Sequence, residues 1–579
     1  MRLAVAFALA VAAGVAGWAA HAPVGAGPLV LLVVPLLLSA VERATLAAAP
    51  DRTLAKRAEV PLALQGWNRA TATLRPGRLA AAVGLLAGLV TFLPMLAWLI
   101  LPAGVVAWVL VSCIQAGWYA LVAYLLRRWV HSGWVVLAAP VLWTGMEAWR
   151  AAVPLGGFGW GSLAYAHAHG SLLLPAARLV GASGLTFLTA LLGALAYEAV
   201  RRARVARTRG RSAAGAGLQA APPLAALVLI GVVATIVPPG APRASGRTVD
   251  LLTVQGNDLV DFTSSRGEED AAIAGRLLAE TRAAVESGGR PDLTIWPENS
   301  IDVDPFTSTG AFLRRYITEG AEVVDGQLLF GTNLDGPDPD LTFRNAAVLV
   351  DRNGEEVDRY VKRRYVPFGE YVPWRAVLGK LPPLRQVPRD GQPGAGPQTV
   401  GTELTGVAVI ICFETLFSDV VRTNVLAEDA GLVVALTNDA SFGRSWESDQ
   451  HIAQSQLRAV ETGRWVVHAA ISGASALIDP EGGVRYRTGL FERATIRAEV
   501  PVIQASTPFL AAGDVVGFLA RWAALALLLA EVAVRLRRRR LTHPPDPGQV
   551  DELVDVKADG RHRPRADLVV EAGRSEEGP

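Results

Sequence analysis

Cysteine is almost absent from this chain, which has only Cys113 and Cys412 among 579 residues. Cys113 lies in an apolar run and Cys412 in a polar-flanked segment far along the chain, so we do not expect a structural disulfide between them. Excess charge is lacking too, since the net charge is +2, and overall charge gives no argument for a nucleic-acid partner. Composition supports neither a disulfide scaffold nor a nucleic-acid binder, and it leaves the redox compartment open.

Hydrophobic residues, by contrast, are abundant. They make up 51% of the chain and give a mean hydropathy of +0.31, which is unusual for a soluble protein. A hydrocarbon core roughly 30 Å thick is crossed by about 20 apolar residues in a helix. On this criterion we predict eight transmembrane helices, at about 3–20, 27–47, 80–101, 104–125, 129–148, 181–200, 218–238 and 512–534.

Basic residues between these stretches predict their orientation. Clusters of Arg and Lys follow the second, fourth, sixth and eighth stretches, as at Arg127 and Arg128 and again at 535–540. Because short cytoplasmic loops carry an excess of Lys and Arg, these ends are predicted to be cytoplasmic. The long segment between the seventh and eighth stretches is then predicted to lie outside the cytoplasm.

The remaining sequence divides the chain into domains. We predict a seven-helix transmembrane domain at 1–240, an α/β domain at 241–505, a final transmembrane helix with a basic cytoplasmic end at 506–540, and a disordered cytoplasmic tail at 541–579. From Gly246 onward, short apolar stretches typical of buried strands alternate with polar helical stretches, which indicates an α/β fold. The tail has few large apolar residues and many charged ones, a composition typical of disorder.

Cys412 follows one of these predicted strands directly. The run from Gly406 to Ile411 is apolar and mostly β-branched, and polar residues begin soon after the cysteine. If a helix followed at Thr415 to Glu428, its N-terminus and a nearby cation would lower the thiol pKa, as in a nucleophile. Taken alone, however, Cys412 also fits the description of a small buried core residue.

Three charged residues lie at predicted turns, namely Glu298, Lys362 and Glu370. Each alone fits a solvated surface position. Proline and glycine beside Glu298 and Glu370 restrict the backbone, which favours a defined side-chain position. Between the fifth and sixth helical stretches, His167 and His169 could bind a metal, but no Cys, Asp or Glu ligand is near them in sequence, and an interfacial loop is the better interpretation.

Seven short motifs surround these residues and follow one another along the chain. They are Val254-Gln-Gly-Asn257, Ile295-Trp-Pro-Glu298, Lys362-Arg-Arg, Pro367-Phe-Gly-Glu370-Tyr-Val-Pro373, Cys412-Phe-Glu414, Thr437-Asn-Asp439 and Arg458-Ala-Val-Glu461-Thr-Gly-Arg464-Trp. With these motifs, residues 249–500 resemble the nitrilase superfamily, which implies that the domain at 241–505 is catalytic, and residues 1–540 resemble the membrane-bound apolipoprotein N-acyltransferase family.

The resemblance implies a polytopic helical membrane domain of about eight helices and an extracytoplasmic αββα sandwich in a bacterial plasma membrane. It also implies a catalytic triad of Glu298, Lys362 and Cys412. In this interpretation Glu298 is the general base, and Lys362 with the backbone N–H of Phe413 stabilises an oxyanion. Glu370 and Glu414 are interpreted as supporting residues that orient Lys362 and the substrate.

The implied reaction is a two-step acyl transfer through a thioester on Cys412. A membrane phospholipid is the expected acyl donor, the N-terminal cysteine amine of a diacylglyceryl apolipoprotein is the expected acceptor, and no cofactor, metal or nucleic acid is expected. Two other functions stay open: a membrane-anchored amidase that transfers its acyl group to water, and an inactive membrane scaffold that binds a partner enzyme.

Overall fold

The computed structural model describes residues 1–48, 76–236, 242, 244–258 and 266–542. Its α-helices, in chain order, are α1 Arg2–Ala19, α2 Val30–Ala48, α3 Pro76–Met95, α4 Ile100–Leu126, α5 Val135–Arg150, α6 Ala177–Thr208, α7 Ala213–Ile236, α8 Arg266–Gly288, α9 Ala311–Val324, α10 Arg375–Leu378, α11 Ser418–Ala427, α12 Glu447–Thr462, α13 Pro508–Ala512 and α14 Val515–Thr542. Its strands are β1 Thr248–Gln255, β2 Leu293–Ile301, β3 Gln327–Asp335, β4 Thr342–Val350, β5 Glu356–Val361, β6 Asp390–Gly391, β7 Val400–Gly401, β8 Gly406–Ile411, β9 Leu432–Thr437, β10 Val466–Ala470, β11 Ala476–Ile478, β12 Val484–Arg487 and β13 Ala494–Pro501.

Seven helical segments of the described chain are long and apolar enough to cross a membrane. They are Arg2–Ala19, Gly27–Ala48, Pro76–Met95, Ala97–Leu126, Leu174–Thr208, Ala213–Ile236 and Val515–Arg537. A helix suits this environment because all its backbone hydrogen bonds are made within the segment. These seven correspond to seven of the eight predicted stretches, with ends that differ by a few residues.

The remaining predicted stretch, 129–148, the fifth in chain order, forms a shorter helix than expected. Helix α5 has 16 residues and buries two charged side chains, Glu147 and Arg150. Both have hydrogen-bond partners inside the protein, because Trp143 Nε1 donates to Glu147 at 3.1 Å and Arg150 donates to Gln115 at 3.0 Å. The prediction treated the helix as another apolar span, but its polar residues bind neighbouring helices and loops.

The α/β part contains two mixed sheets that pack face to face. The first has the order β13-β1-β2-β3-β4-β5, with β6 paired to β4, and the second has the order β12-β11-β10-β9-β8-β7. Alternate side chains of both sheets fill the space between them, among them Leu251, Ile295, Val409 and Val434. Because strand side chains alternate between faces, the other set faces outward toward helices.

Helices cover these outer faces. Residues of α8 and α9, such as Leu277 and Ile317, share a buried cluster with Trp296 and Phe330 of the first sheet. Helices α11 and α12 pack on the second sheet, where α12 contacts β10 and α11 contacts β8. The layers are therefore helix, sheet, sheet and helix, as the family resemblance implied.

The carboxyl ends of parallel strands carry Glu298, Cys412 and Asn438. Strands β1, β2 and β3 are parallel neighbours, and so are β8, β9 and β10. Glu298 lies near the carboxyl end of β2, Cys412 directly after β8 and Asn438 directly after β9. Carboxyl ends of parallel strands lie at one edge of each sheet. Glu298 belongs to the first sheet and Cys412 and Asn438 to the second, and the two edges meet where the Asn438 backbone N–H donates to Glu298 at 2.8 Å.

The chain forms two compact units, residues Met1–Ala524 and residues from Leu525 onward. The first unit contains the sandwich and the helical segments before α14. In the second unit, the described residues are the remainder of α14 up to Thr542. The predictions for the basic loop at 50–79 and the tail at 541–579 fall almost entirely outside the described residues.

Candidate active site

Cys412 occupies a strained backbone position at the end of β8. Its φ is +48°, a left-handed conformation that costs a residue other than glycine roughly 1–3 kcal/mol. A short 3₁₀ helix, Cys412–Leu416, follows at once, and α11 begins only at Ser418. The predicted helix start at Thr415 was therefore wrong, and the contacts that hold this tight turn must offset its strain.

Lys362 and two carboxylates form a compact charged group beside the cysteine. Lys362 Nζ lies 2.7 Å from Glu370 Oε1 and 3.3 Å from Glu298 Oε1. The lysine side chain is 1% exposed and the glutamate side chains 18% and 6%. Glu298, Lys362, Glu370 and Cys412 all line one cavity, so the structure brings together the residues that the sequence motifs singled out.

Glu298 is fixed by more than the lysine. Asn345 Nδ2 donates to Glu298 Oε1 at 2.7 Å, and the backbone N–H of Asn438 donates to Glu298 Oε2 at 2.8 Å. Gly331 on β3 allows the backbone of β2 to approach closely at Glu298, because a Cβ at Gly331 would lie 2.5 Å from the Cα of Glu298. Both carboxylate oxygens thus have a defined direction, which a positioned proton acceptor needs.

Burial and charge act in opposite directions at this group. Burial raises the pKa of Glu298, and Glu370 raises it further, while Lys362 lowers it, so that the carboxyl pKa lies above its ordinary value. For Lys362, burial lowers the pKa, but Glu298 and Glu370 more than compensate and keep it well above the ordinary value. The lysine is therefore a fixed cation, and the glutamate is a stronger base than an exposed carboxylate.

The thiol of Cys412 does not have the lowered pKa that the sequence predicted. Burial and then the nearby carboxylate of Glu298 raise its pKa well above the ordinary value, and the opposing effect of Lys362 is smaller. The helix that was expected to lower the pKa begins six residues later. A thiol in this setting keeps its proton until a base accepts it, which gives the basic carboxylate of Glu298 a function.

Glu414 has a different place from the one predicted. It is fully buried, and its carboxylate accepts hydrogen bonds from the Tyr360 hydroxyl at 2.9 Å and from the backbone N–H groups of Arg363 at 2.7 Å and Ile411 at 2.9 Å. These contacts join the end of β5 to the end of β8. Glu414 therefore supports the backbone beside Lys362 and Cys412 and is not among the residues that line the cavity.

The cavity beside Cys412 has a volume of about 670 Å³. One side is polar and consists of the strand ends of the sandwich. The other side comes from the apolar helical segments and the loop before α6, and its residues include Trp98, Pro102, Ile114 and Phe158. Chain segments outside the sandwich thus complete the site, which the sequence motifs did not indicate.

Aromatic side chains connect the two sides. Phe158 stacks on Phe413, the residue after the cysteine, with ring centroids 6.5 Å apart, and on Trp160 at 5.9 Å. Trp98 and Trp160 both donate to Gln450 Oε1, at 3.1 and 2.6 Å. Such contacts combine apolar burial with fixed geometry, so they hold the nucleophile turn against the apolar side of the cavity.

Two histidines that could bind a metal, His167 and His451, have hydrogen-bond partners within the protein. His167, considered in the sequence, bonds instead to Ser171 at 2.6 Å and Thr189 at 2.7 Å. In the described part of the chain, one group has ligand atoms of three residues within 4.8 Å of one another, namely Asp439, His451 and His468. Both ring nitrogens of His451 already have hydrogen-bond partners, Cys412 O and Asp439, so hydrogen bonding explains that side chain.

Several site residues were missed in the sequence. Asn345 and His451 lie inside a strand and a helix that gave no functional signal, and Trp98 and Phe158 lie far from the motifs in sequence. Asn438 belongs to a motif that was recognised, but its backbone contact with Glu298 depends on tertiary structure. Sequence patterns identify charged residues at turns more readily than residues that hold them in place.

An αββα sandwich with Cys412, Glu298 and Lys362 at one cavity, in a chain with apolar helices, defines the class: a membrane protein of the nitrilase superfamily. Residues 13–195 match the apolipoprotein N-acyltransferase N-terminal domain, and residues 268–506 match carbon-nitrogen hydrolases. An apolipoprotein N-acyltransferase of Geobacter metallireducens is 30% identical over 480 residues, 80% of this chain and 89% of that protein. One of Mycolicibacterium smegmatis is 31% identical over 507 residues, 83% of each. The chain therefore belongs to the apolipoprotein N-acyltransferase family and is an acyltransferase.

A solved structure was also matched. An amidase of the nitrilase superfamily from Nesterenkonia is 17% identical, and the alignment covers 45% of this chain and 93% of that chain with a TM-score of 0.34.

Proposed function

We propose that this acyltransferase moves a fatty acyl chain from a membrane phospholipid to the α-amine of the N-terminal cysteine of a diacylglyceryl apolipoprotein, through a thioester on Cys412. The observation that carries the proposal is the shared cavity, which places Cys412 between the Glu298 and Lys362 group and an apolar wall. The relatives described above support the acceptor, since they are apolipoprotein N-acyltransferases.

The first half-reaction forms the thioester. Glu298 accepts the thiol proton of Cys412 as the sulfur attacks the ester carbonyl carbon, and the carbonyl oxygen becomes an oxyanion. Lys362 and the Phe413 backbone N–H stabilise that oxyanion, and losing one such donor typically costs about 3 kcal/mol. The ester C–O bond then breaks, and Glu298 returns its proton to the departing lysophospholipid oxygen.

The second half-reaction uses the same residues in the opposite direction. The acceptor amine attacks the thioester carbonyl carbon, and Glu298 accepts a proton from the nitrogen. The C–S bond breaks as the amide forms, and the sulfur regains a proton from Glu298. Glu370, at 2.7 Å from Lys362, holds the lysine in place through both steps and does not itself carry the proton.

Both substrates are lipids, which fits the composition of the cavity. The apolar residues Pro102 and Ile114 lie on or beside α4, a helix long and apolar enough to cross the membrane. Gly104 interrupts this segment with a φ of +78°, a conformation that glycine adopts without steric cost. An acyl chain along this wall stays in an apolar environment while its carbonyl carbon lies near the thiol.

The proposed location is the plasma membrane of a bacterium, with the sandwich on the extracytoplasmic side. The basic loops support this orientation by the positive-inside rule. A protease-cleavable tag in the exposed turn at Asp338 and a cytoplasmic reporter fused after Arg540 test it. Cleavage of the tag in intact spheroplasts is expected, and a protected tag with an external reporter would contradict the orientation.

Mass spectrometry of the intact purified protein tests the thioester directly. After incubation with phospholipid vesicles, the mass of wild-type protein should increase by one acyl group, located on Cys412, and Cys412→Ala should show no increase. Adding a synthetic diacylglyceryl-cysteine peptide should remove the adduct and yield an N-acylated peptide.

The outcomes separate the proposal from the two other functions. Release of the acyl group as free fatty acid, with the lipopeptide left unmodified, would favour an amidase that uses water. Absence of any adduct on folded wild-type protein would favour an inactive scaffold. Substantial transfer by Cys412→Ala would overturn the thioester mechanism.

A further inference from the structure

The carbonyl oxygen of Cys412 is in hydrogen-bond contact with Thr415 and with His451 of helix α12. The Thr415 hydroxyl donates to this carbonyl oxygen at 2.8 Å, and His451 Nε2 lies 3.1 Å from the same oxygen. His451 is 1% exposed and has no part in the acyl-transfer steps described above. Because Cys412 adopts φ +48°, these contacts act on a peptide unit that the strained turn alone would not fix.

The partners of His451 determine which nitrogen donates. Nε2 lies 3.1 Å from the Cys412 carbonyl oxygen and 3.1 Å from the Thr415 hydroxyl oxygen. The Thr415 proton is already donated to that carbonyl, so both oxygens act as acceptors toward the ring and Nε2 carries a proton. Nδ1 lies 3.3 Å from a carboxylate oxygen of Asp439 and 3.7 Å from Glu447. The carboxylate of Asp439 is itself held by the hydroxyl of Thr437 at 2.7 Å. Asp439 thus fixes the ring of His451, and the ring in turn binds the carbonyl of Cys412.

The charge of Asp439 agrees with this arrangement. Burial raises the pKa of its carboxyl, but His451, together with His468 and the Thr437 hydroxyl, more than offsets burial and leaves the pKa below the ordinary value. Asp439 is therefore an anion at neutral pH, and its carboxylate oxygen lies 3.3 Å from the Nδ1 edge of the ring. Hydrogen bonds with a charged partner are stronger and more directional than neutral ones.

Fixing the carbonyl of Cys412 also fixes the next N–H. In a trans peptide unit the C=O and N–H bonds point in opposite directions because the six atoms are coplanar. The described cis peptide bonds lie elsewhere, before Pro23 and Pro154, so the unit from Cys412 to Phe413 is trans. Since His451 holds the oxygen on the α12 side, the Phe413 N–H points away from α12.

We propose that His451, held by Asp439, is a positioning residue that aims the Phe413 N–H at the oxyanion formed on Cys412. This inference rests on the acyl-transfer function proposed above, and it adds a residue pair that never touches the reacting atoms. The Phe413 ring, packed against Phe158 and Phe417, restrains the other end of the same peptide unit.

Two reactions of the same thiol test the proposal. Acylation by a phospholipid needs the oxyanion donor, whereas alkylation by iodoacetamide displaces iodide and forms no oxyanion. His451→Leu introduces an apolar side chain of similar size and removes the Nε2–H donor. We expect its acylation of Cys412 to slow about 100-fold, the usual effect of losing an oxyanion donor, while alkylation stays within about threefold of wild type.

Three further variants sharpen the test. His451→Gln retains an N–H near the position of Nε2 and should recover most of the acylation rate. Asp439→Asn should slow acylation with little change in alkylation. His167→Leu is the control, because that buried histidine bonds to Ser171 and Thr189 and does not line the cavity; both of its rates should stay close to wild type.

The results overturn the proposal in two ways. Equal slowing of acylation and alkylation would show that His451 acts on the thiol or on the fold. Unchanged acylation in His451→Leu would show that the donor needs no such support. If His451→Leu does not fold, His451→Gln and Asp439→Asn decide by the same ratio of rates. Failure of wild type to form any acyl adduct is a separate result, which contradicts the acyl-transfer mechanism.

Discussion

The two walls of the cavity differ in origin and in what holds them. The polar wall consists of strand ends, where Glu298 has an amide and a backbone N–H as partners in addition to Lys362. The apolar wall comes from helical segments and a loop, with Ile114 and Phe158 among its residues. One wall is fixed by directional hydrogen bonds, and the other by aromatic packing and apolar contact.

This difference indicates how the two walls contribute to the reaction. Directional bonds position the proposed base, cation and nucleophile, and such positioning raises the rate of chemical steps. Apolar contact is nearly independent of direction and scales with area, so under the proposed function it contributes to binding of the acyl chain. Changes in the polar wall should therefore alter kcat, and changes in the apolar wall should alter the dependence on chain length.

The largest effects are expected from Glu298→Gln and Lys362→Met. The first change removes the base and the second removes the oxyanion cation, so neither variant should form the Cys412 acyl adduct at more than about one thousandth of the wild-type rate. Timed intact-mass measurements check this. Lys380→Met, at an exposed lysine, is the control, and a normal acylation rate with transfer blocked would contradict both assignments.

A smaller effect is expected from Glu370→Gln, which leaves base, cation and nucleophile in place. We expect acylation to slow about tenfold because Lys362 loses its 2.7 Å partner. The pH dependence should also change. Glu370 raises the pKa of Glu298, and Glu298 must be unprotonated to act as a base, so removing that charge should move the acid limb of the acylation profile to lower pH.

Pre-steady-state acylation between pH 4 and 8 measures this limb. The exposed Glu355, which pairs with Arg314, gives the control Glu355→Gln, whose profile should match wild type. A limb that moves to higher pH in Glu370→Gln would contradict the assigned role of Glu370.

In the apolar wall, Ile114→Trp should act on chain length rather than on chemistry. The larger tryptophan ring fills cavity space that about two methylene groups of the acyl chain would occupy. Losing their burial costs roughly 1.6 kcal/mol of binding free energy, so kcat/KM for long-chain donors should fall about tenfold. Donors with short acyl chains should react as with wild type. An equal loss for short and long donors would show that this wall does not hold the acyl chain.

The smallest effect is expected from Cys113→Ser, one residue away from Ile114 on the same helix. Cys113 is exposed and free and does not line the cavity, so acylation and transfer should equal wild type within error. The comparison with Ile114→Trp separates a change in the cavity from a general disturbance of α4. Loss of activity in Cys113→Ser would show that the helix as a whole tolerates no substitution.

Local sequence determined much of this protein because its signals act over a few residues. Apolar runs of about 20 residues marked the seven described helical segments that are long and apolar enough to cross a membrane, and short β-branched runs marked the strands of the sandwich. The family motifs were readable around Glu298, Lys362 and Cys412, although Glu298 lies inside β2 rather than in the predicted turn. Even α5 was detected as a helix, although its buried Glu147 and Arg150 make it a less apolar one than expected.

Tertiary structure alone decided the electrostatics and the support of the site. The thiol pKa of Cys412 is raised rather than lowered because burial and Glu298 outweigh Lys362, and burial depends on residues from the whole chain. Glu414 binds backbone groups of two strands, and His451 reaches the carbonyl of Cys412 across 39 positions. Such long-range contacts leave no periodic pattern in the sequence, since each joins two residues that only the fold makes neighbours.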